Sequence, residues 1–471
     1  HPPLPSSPTP RSSDLTKVAL ILRNRYRRAM KDGSLKHIDT LLHARWVIPV
    51  DNKHRYLDHH AIAIHEDKII DILPSEQANN KYSADANRRY EQHALIPGLI
   101  NSHTHAAMNL FRGLADDLSL MDWLENHIWP AESEPVNGAF VHTGTALAIA
   151  EMIRGCTTCF NDMYFFPDVT ARVAAEVGIR ASVGLILIDF PTVWANNSEE
   201  YIDKGLAVFD HYKGHKLIKT AFAPHAPYTV SDEPLKHIRT LADELDLGVH
   251  MHIHETAYEV SEAEKNSGQR PLARLNDLGL LTPSLQAVHM TQLLDEEIDL
   301  LAASGSHVIH CPKSNMKLAS GICPVDRLLK AGINVALGTD SSSSNNNLDM
   351  FGEMHMAALL AKVSTMDATV APAEQILQMA TINGARALGM EEITGSLEVG
   401  KFADIVAVNF DTIETIPVYD PVSHLVYCSS RDHVTDVWIA GKQRLTDKVL
   451  NTIDENKLKQ DCIKISETIN N

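Results

Sequence analysis

Long apolar runs are missing from this 471-residue chain. None reaches the ~18 residues that a bilayer-spanning helix requires. Cysteine is scarce as well: the six residues Cys156, Cys159, Cys311, Cys323, Cys428 and Cys462 are too sparse for a disulfide framework, which predicts a reducing, cytoplasmic setting. Basic charge is in deficit, with 42 Lys and Arg against 60 Asp and Glu, a net charge of -18 and a pI near 5.7. Nucleic acid and anionic membrane both need a basic footprint, so neither is expected as a partner and a small molecule is. The chain also contains no Gly-x-Ser-x-Gly elbow and no Gly-x-Gly-x-x-Gly fingerprint. Gly395-x-x-x-x-Gly400-Lys401 comes near a phosphate-binding loop, but Phe402 stands where that loop needs Ser or Thr, and a strand-like "ADIVAV" follows instead of a helix. Cys156-x-x-Cys159 has no second pair to complete a zinc site and reads as two part-buried thiols.

What is present is the composition of a soluble globular protein, 44% hydrophobic and 22% charged. The length fits one large barrel-type domain with additions, or two domains. The opening "HPPLPSSPTPRSSDL" is Pro/Ser-rich and cannot bury enough apolar surface to order itself. The apolar "VALIL" before the basic run Arg23–Lys31 is too short for a signal-peptide core. Residues 1–37 are therefore expected to be a disordered or extraneous extension. From Ile38, short β-branched stretches such as "IDTLLHARWVIPVD" alternate with turn residues, and similar stretches, "ADIVAVN" and "TDVWIAGKQRLT", return near the end. Both ends should thus build one small β-sandwich, 38–95 plus 397–450, with a helical tail at 451–471. Between them, 96–396 alternates apolar strands ("IRASVGLIL", "IKTAFAPH", "GVHMHIHE", "LQAVHM", "INVALGTD") with helical segments. About eight such units fit, which predicts an α/β fold, a (β/α)8 TIM-like barrel.

Barrels of this kind carry their chemistry at the C-terminal ends of the strands. In this chain those ends are rich in metal-friendly residues. His103 and His105 follow "ALIPGLI" two residues apart, on one face of an extended chain. His225 closes "TAFAPH", His252 and Glu255 close "GVHMHIHE", His289 closes "LQAVH" and Asp340 closes "NVALGTD". Each alone is a common core or loop residue; together they mark one cleft. His250, His252 and His254 all share a face at period two, so spacing alone leaves the ligand among them open.

The set His103-x-His105, His252-x-x-Glu255, His289 and "GTD" at Asp340 resembles the amidohydrolase superfamily, in its mononuclear deaminase branch, over roughly Ile38 to Lys448. "GSLEVGKFADIVAVN" is also typical of that superfamily. The resemblance implies one Zn2+ per chain, with Fe2+ or another divalent ion left open, held by His103, His105, His252 and Asp340. It implies that His289 orients or deprotonates the attacking water, that Asp340 also holds the transferred proton, and that Glu255 is the acid/base that protonates a ring nitrogen. Binuclear relatives have a bridging lysine where this chain has His225, which argues for one metal. His254 is an extra imidazole without an assigned role.

"MDWLENHIWPAE", "NDMYFF" and "FAPHAPYTVS" are similar to segments of the deaminases of 5-methylthioadenosine and S-adenosylhomocysteine. That likeness implies that Trp123 and Glu132 lie over the site, that Glu132 accepts hydrogen bonds from both ribose hydroxyls, and that His225 contacts the adenine. A carboxylate suits a vicinal diol because it offers two acceptor oxygens. The expected substrate is a 6-aminopurine nucleoside: methylthioadenosine, S-adenosylhomocysteine or adenosine. Arg180 is the candidate for a homocysteine carboxylate; the absence of a second arginine nearby tilts the choice toward the other two. The rivals are a guanine or pterin deaminase, a triazine hydrolase, and an inactive barrel scaffold, the last disfavoured because every expected ligand is present. Homo-oligomerisation stays open.

Overall fold

The computed structural model describes residues 35–469, apart from positions 52 and 134. The expected extension 1–37 thus lies outside the described residues except at its end, where Lys36 already opens a strand. Four strands come first: β1 (Lys36–Val47), β2 (Leu57–His65), β3 (Lys68–Pro74) and β4 (Tyr82–Pro97). Eight more form the middle of the chain: β5 (Leu99–Thr104), β6 (Thr157–Asp162), β7 (Arg180–Leu187), β8 (Ile218–Pro224), β9 (Val249–Ile253), β10 (Leu285–His289), β11 (His307–His310) and β12 (Val335–Leu337). The last four are β13 (Ile405–Asn409), β14 (Val434–Ile439), β15 (Lys442–Thr446) and β16 (Val449–Leu450), and a helix, Glu455–Ile469, follows them.

The chain ends do build one small β domain, a continuous mixed sheet in the order β16-β15-β14-β13-β4-β1-β2-β3. Its two halves join where β13 runs antiparallel to β4, with Ile405 opposite Pro97 and Val408 opposite Ala94. Strands β5 to β12 pair in chain order, all parallel. Every residue of β5, β6, β7, β9 and β10 is buried, as expected of strands covered on both faces. The covering helices are amphipathic: Asp232–Leu245 buries Leu235, Ile238 and Ala242 at helical spacing and points its charged residues outward.

The barrel closes between β12 and β5 through polar groups. The Thr339 N–H donates to Asn101 Oδ1 at 2.9 Å, Asn101 Nδ2 donates to Thr339 Oγ1 at 2.7 Å, and the Asp340 N–H donates to the His103 carbonyl at 3.0 Å. Gly338 is required at this seam, since a Cβ there would sit 2.8 Å from the His103 Cβ and backbone nitrogen. Closure therefore sets the backbone of the two outermost strands in register at the residues expected to hold metal.

Arg180 corrects one expectation. It is the first residue of β7, at the N-terminal end of the barrel, opposite the end where His103 and Asp340 lie. Its guanidinium is buried and paired with Asp404 (Nη2–Oδ2 3.0 Å, Nε–Oδ2 3.1 Å), and it also donates to the Lys216 carbonyl at 3.1 Å. Asp404 accepts in turn from Thr394 Oγ1 at 2.8 Å and from the Ala440 N–H at 2.7 Å. Arg180 thus ties the barrel to the β domain, and its burial at that end keeps it from a substrate carboxylate bound at the other. Removing one partner of a buried pair strands the other charge, so Arg180→Ala should cost about 3–5 kcal/mol in denaturant unfolding. The KM of the folded variant should stay that of the parent; a KM effect specific to a substrate bearing a carboxylate would restore Arg180 to the site.

Candidate active site

Parallel strands bring their C-terminal ends to one rim, and the chemistry-bearing residues sit there. The His252 and His103 Nε2 atoms are 3.1 Å apart, and Asp340 Oδ1 lies 3.4 Å from His103 Nε2 and 3.3 Å from His105 Nε2. Two donor groups, His103–His105–Asp340 and His103–His252–His289, each lie within 4.8 Å of one another. Both contain His103, so they make a single site.

The neighbours of each imidazole fix what its free nitrogen can do. His252 Nδ1 donates to the His225 carbonyl at 2.9 Å, and His105 Nδ1 donates to the Met163 carbonyl. Each Nε2 is then left with a lone pair, the arrangement usual for metal-bound histidines. His103 Nδ1 lies 2.9 Å from His250 Nε2, a second buried imidazole behind the first. Asp340 Oδ2 accepts from Ser314 Oγ at 2.6 Å and Ser344 Oγ at 3.0 Å, while Oδ1 accepts from the Ser341 N–H at 2.7 Å and turns toward the histidines. Burial pushes His252 well down and His103 down to about 4, which keeps both neutral and able to ligate. Burial opposes ionisation of Asp340 too, but the neighbouring His103 and His105 imidazoles hold the carboxyl well below its usual range.

Three imidazole nitrogens and one carboxylate oxygen, converging on residues that are buried apart from the half-buried His105, fit a divalent ion of the zinc type and leave room for water. His289 differs from the three. Its Nδ1 donates to Asn315 Oδ1 at 2.8 Å, and its Nε2 lies 3.7 Å from Glu255 Oε2, so it spans the gap between the metal donors and a second carboxyl. Burial raises the Glu255 carboxyl above its ordinary range, which favours a group that gives a proton and takes it back.

The cavity over this floor is lined by His105, His225, His252, Glu255, His289 and Asp340 at its base. His103 lies beneath it, fully buried. Trp123 and Glu132 reach the wall from the helical excursion between β5 and β6. Glu132 accepts from the Tyr164 hydroxyl at 2.6 Å; burial nonetheless lifts its carboxyl to about 7. The Trp123 indole N–H is buried without a protein partner. His225 bonds Thr229 Oγ1 through Nδ1 at 3.1 Å and leaves Nε2 for the cavity.

The structure thus brings nine of the expected residues to the floor and wall of one cavity and leaves Arg180 at the other end. His254 is turned away: its Nε2 accepts the Leu272 N–H at 3.2 Å, at the start of the helix Pro271–Asp277. Cys156 and Cys159 are buried at the foot of β6, and burial pushes the Cys159 thiol up to about 12. Sequence reasoning missed Tyr164, Asn315, Ser314 and His250 as partners. Tyr164 lies within "NDMYFF", just past β6, where strand-end position was the usable signal; His250 shares a face with His252 at period two, which marks it as a neighbour of the site, and Asn315 and Ser314 had no signal.

The amidohydrolase family model matches residues 94–444. The 5-methylthioadenosine/S-adenosylhomocysteine deaminase of Saccharophagus degradans is 49% identical over 416 residues, 88% of this chain and 93% of that protein. The 5'-deoxyadenosine deaminase of Methanothermobacter thermautotrophicus is 46% identical over 361 residues, 77% of this chain and 84% of that one. The crystal structure of an adenosine deaminase from Xanthomonas campestris with bound zinc superposes with a TM-score of 0.92 at 47% identity, covering 93% of this chain and 99% of its own.

Metal analysis of the purified protein should find about one tightly bound divalent ion per chain. A chelator should remove it with a loss of thermal stability as well as of activity, because the apoprotein leaves buried donors unpaired. Two tightly bound ions, or full activity after the ion is gone, would overturn the single-site assignment.

Proposed function

The chain belongs to the amidohydrolase family, and we propose that it is a zinc-dependent aminohydrolase that converts a 6-aminopurine nucleoside to its inosine analogue and ammonia. The observation that carries the nucleoside reading is Glu132, a carboxylate in the cavity wall, fixed on one oxygen by Tyr164. A ribose diol matches its acceptors; a guanine, pterin or triazine acted on as a free base brings no diol to meet them.

His103, His105, His252 and Asp340 would hold the ion. When bound, it lowers the pKa of a water so that a hydroxide is available near neutral pH. Asn315 holds Nδ1–H of His289, so Nε2 is the atom able to accept a proton from that water or orient it. Glu255, whose carboxyl burial raises above its ordinary range, donates its proton to ring N1, which draws electrons from C6 as the oxygen adds there. Asp340 then carries a proton to the exocyclic nitrogen, which leaves as ammonia, and C6 keeps the oxygen as a carbonyl. His225 and Trp123 orient the purine and the ribose.

The part of the cavity beyond the ribose wall is apolar, lined by Ile186, Ile188, Phe190 and Val193, and among the described residues no Lys or Arg lines the cavity. A methylthio or deoxy group at the 5′ carbon suits that surface. An α-amino acid tail finds no cation there to offset its lost hydration. All six cysteines are unpaired, which supports a cytoplasmic location.

Glu255→Gln should retain the ion and bind substrate normally yet lose several powers of ten in kcat, and His289→Asn should behave similarly. Near-parental turnover in either variant would remove that residue from the mechanism.

For Glu132→Ala, kcat/KM on methylthioadenosine should fall about a hundredfold or more, whereas the already poor rate on 2′,3′-dideoxyadenosine should barely change. Only the ionised form of Glu132 accepts from both hydroxyls. The KM for methylthioadenosine should therefore rise as pH falls through about 7, the value to which burial lifts this carboxyl, while the dideoxy substrate shows no matching limb. Faster deamination of free adenine, guanine or an aminotriazine by the parent enzyme would displace the nucleoside reading.

A further inference from the structure

Glu255 must hold its carboxyl at one ring nitrogen, yet it stands on an awkward stretch of backbone. The residue before it, His254, has φ +54, a left-handed conformation that is unfavourable for a residue with a Cβ. Something must hold the turn, and a buried carboxylate with no part in the chemistry lies against it. Glu259 accepts the His254 N–H on Oε1 at 3.1 Å and the Glu255 N–H on Oε2 at 2.7 Å. It is only 8% exposed. Glu259 is the third residue of the helix Ala257–Ser267, whose N-cap, Thr256, accepts the Glu259 N–H at 3.2 Å. In an ordinary capping box a glutamate at this position returns to the N–H of the cap residue itself. Here it reaches one and two residues further back, to the acid and its neighbour.

The carbonyl side of the same turn is gripped from the next strand. Thr291 Oγ1 donates to the Glu255 carbonyl at 2.7 Å, and the Thr291 N–H donates to the His254 carbonyl at 3.0 Å. Thr291 is two residues past His289, so this grip ties the turn bearing the acid to the turn bearing the imidazole.

We propose that Glu259 and Thr291 are positioning residues that clamp the Glu255 turn from its N–H and carbonyl sides, and so set the aim of the acid and its spacing to His289. The proposal rests on Glu255 being the acid of the deaminase reading above. Both clamps act on backbone, so their loss tilts the Glu255 carboxyl without touching the metal donors or the cavity wall. A misplacement of about 1 Å can cost about 10²-fold in rate.

Glu259→Gln keeps one acceptor oxygen and replaces the other by an amide nitrogen that cannot accept, so one of the two N–H groups loses its partner. In the zinc-loaded enzyme with methylthioadenosine, kcat should fall about 10- to 100-fold, with KM within about twofold of the parent and the zinc content unchanged. Thr291→Val, which removes only the hydroxyl, should lower kcat about 3- to 10-fold in the same pattern, and it decides the matter if Glu259→Gln does not fold.

A second readout separates aim from general loosening. Binding of a 6-hydroxy-1,6-dihydropurine ribonucleoside, whose tetrahedral C6 and N1–H engage Glu255 as the reacting purine does, should weaken with kcat in each variant. In a Glu255→Gln background the same substitutions should add no further loss, because the group being aimed is gone. A kcat within twofold of the parent for both variants, an undiminished loss in the Glu255→Gln background, or depletion of zinc would overturn the clamp. A parent enzyme that released no ammonia from any purine nucleoside would instead sink the deaminase reading, a result distinct from all of these.

Discussion

The Asp340 carboxylate sits where the barrel closes, and the site depends on that position. Its backbone N–H bonds the His103 carbonyl across the seam, and its Oδ1 faces the Nε2 atoms of His103 and His105 from the same place. One residue therefore completes the fold and the donor set together. Were the seam to open, the first strand would carry two histidines away from the carboxylate that complements them. The polar lining of the seam follows from the same demand: Asn101 and Thr339 satisfy each other where aliphatic side chains usually fill a barrel.

Burying this much polarity is costly unless every group finds a partner. The structure meets the cost with outer partners for the donors: Met163 and His225 carbonyls for two imidazoles, serine hydroxyls and an N–H for Asp340, Asn315 for His289. Some cost remains as strain. Asp340, His289 and His254 all have positive φ, at 63°, 76° and 54°. Each stands at or just past a strand end, where the chain must turn sharply for a side chain to point along the barrel axis. Such outliers persist only where their surroundings over-determine them, and hydrogen-bonded turns on adjacent strands supply that here.

How far the site could be read from sequence follows from the range of the interactions. Strand-end histidines were legible because period-two alternation and the parallel-barrel rule are local statements about His103, His105 and His252. Glu255 needed the family pattern, since spacing alone did not choose among His250, His252 and His254. Arg180 was misread for a physical reason: it opens β7, and a residue that opens a barrel strand lies at the end away from the chemistry. Its true partner, Asp404, is 224 positions distant, and no local signal announces it. The partner of Glu132 is closer, at 32 positions, but the chain folds through a helix before Tyr164 returns. The expectation of a small β domain held because both chain ends carry alternating β-branched runs; the pairing of β13 with β4 that joins them depends on tertiary register.

The division of labour between strands and connections explains what this scaffold can vary. The proposed metal donors, the proposed acid and His289 stand on or beside the ends of β5, β9, β10 and β12, where a shift of one residue would turn a side chain to the wrong face. The groups that line the rest of the cavity come from longer connections: Trp123 and Glu132 from the excursion after β5, Phe190 and Val193 from the loop after β7. Connections tolerate substitution because few core contacts depend on them. On the proposed reading, a change of the 5′ substituent accepted would require only that the β7 loop exchange apolar residues for cations, with the donor set untouched. A change from nucleoside to free base requires more, because Glu132 is tied to Tyr164, and Tyr164 directly follows Met163, whose carbonyl orients His105. The wall that carries Glu132 and the floor that carries His105 are thus joined through one short run of backbone, and on the proposed reading that coupling makes a nucleoside preference harder to lose than the choice of tail.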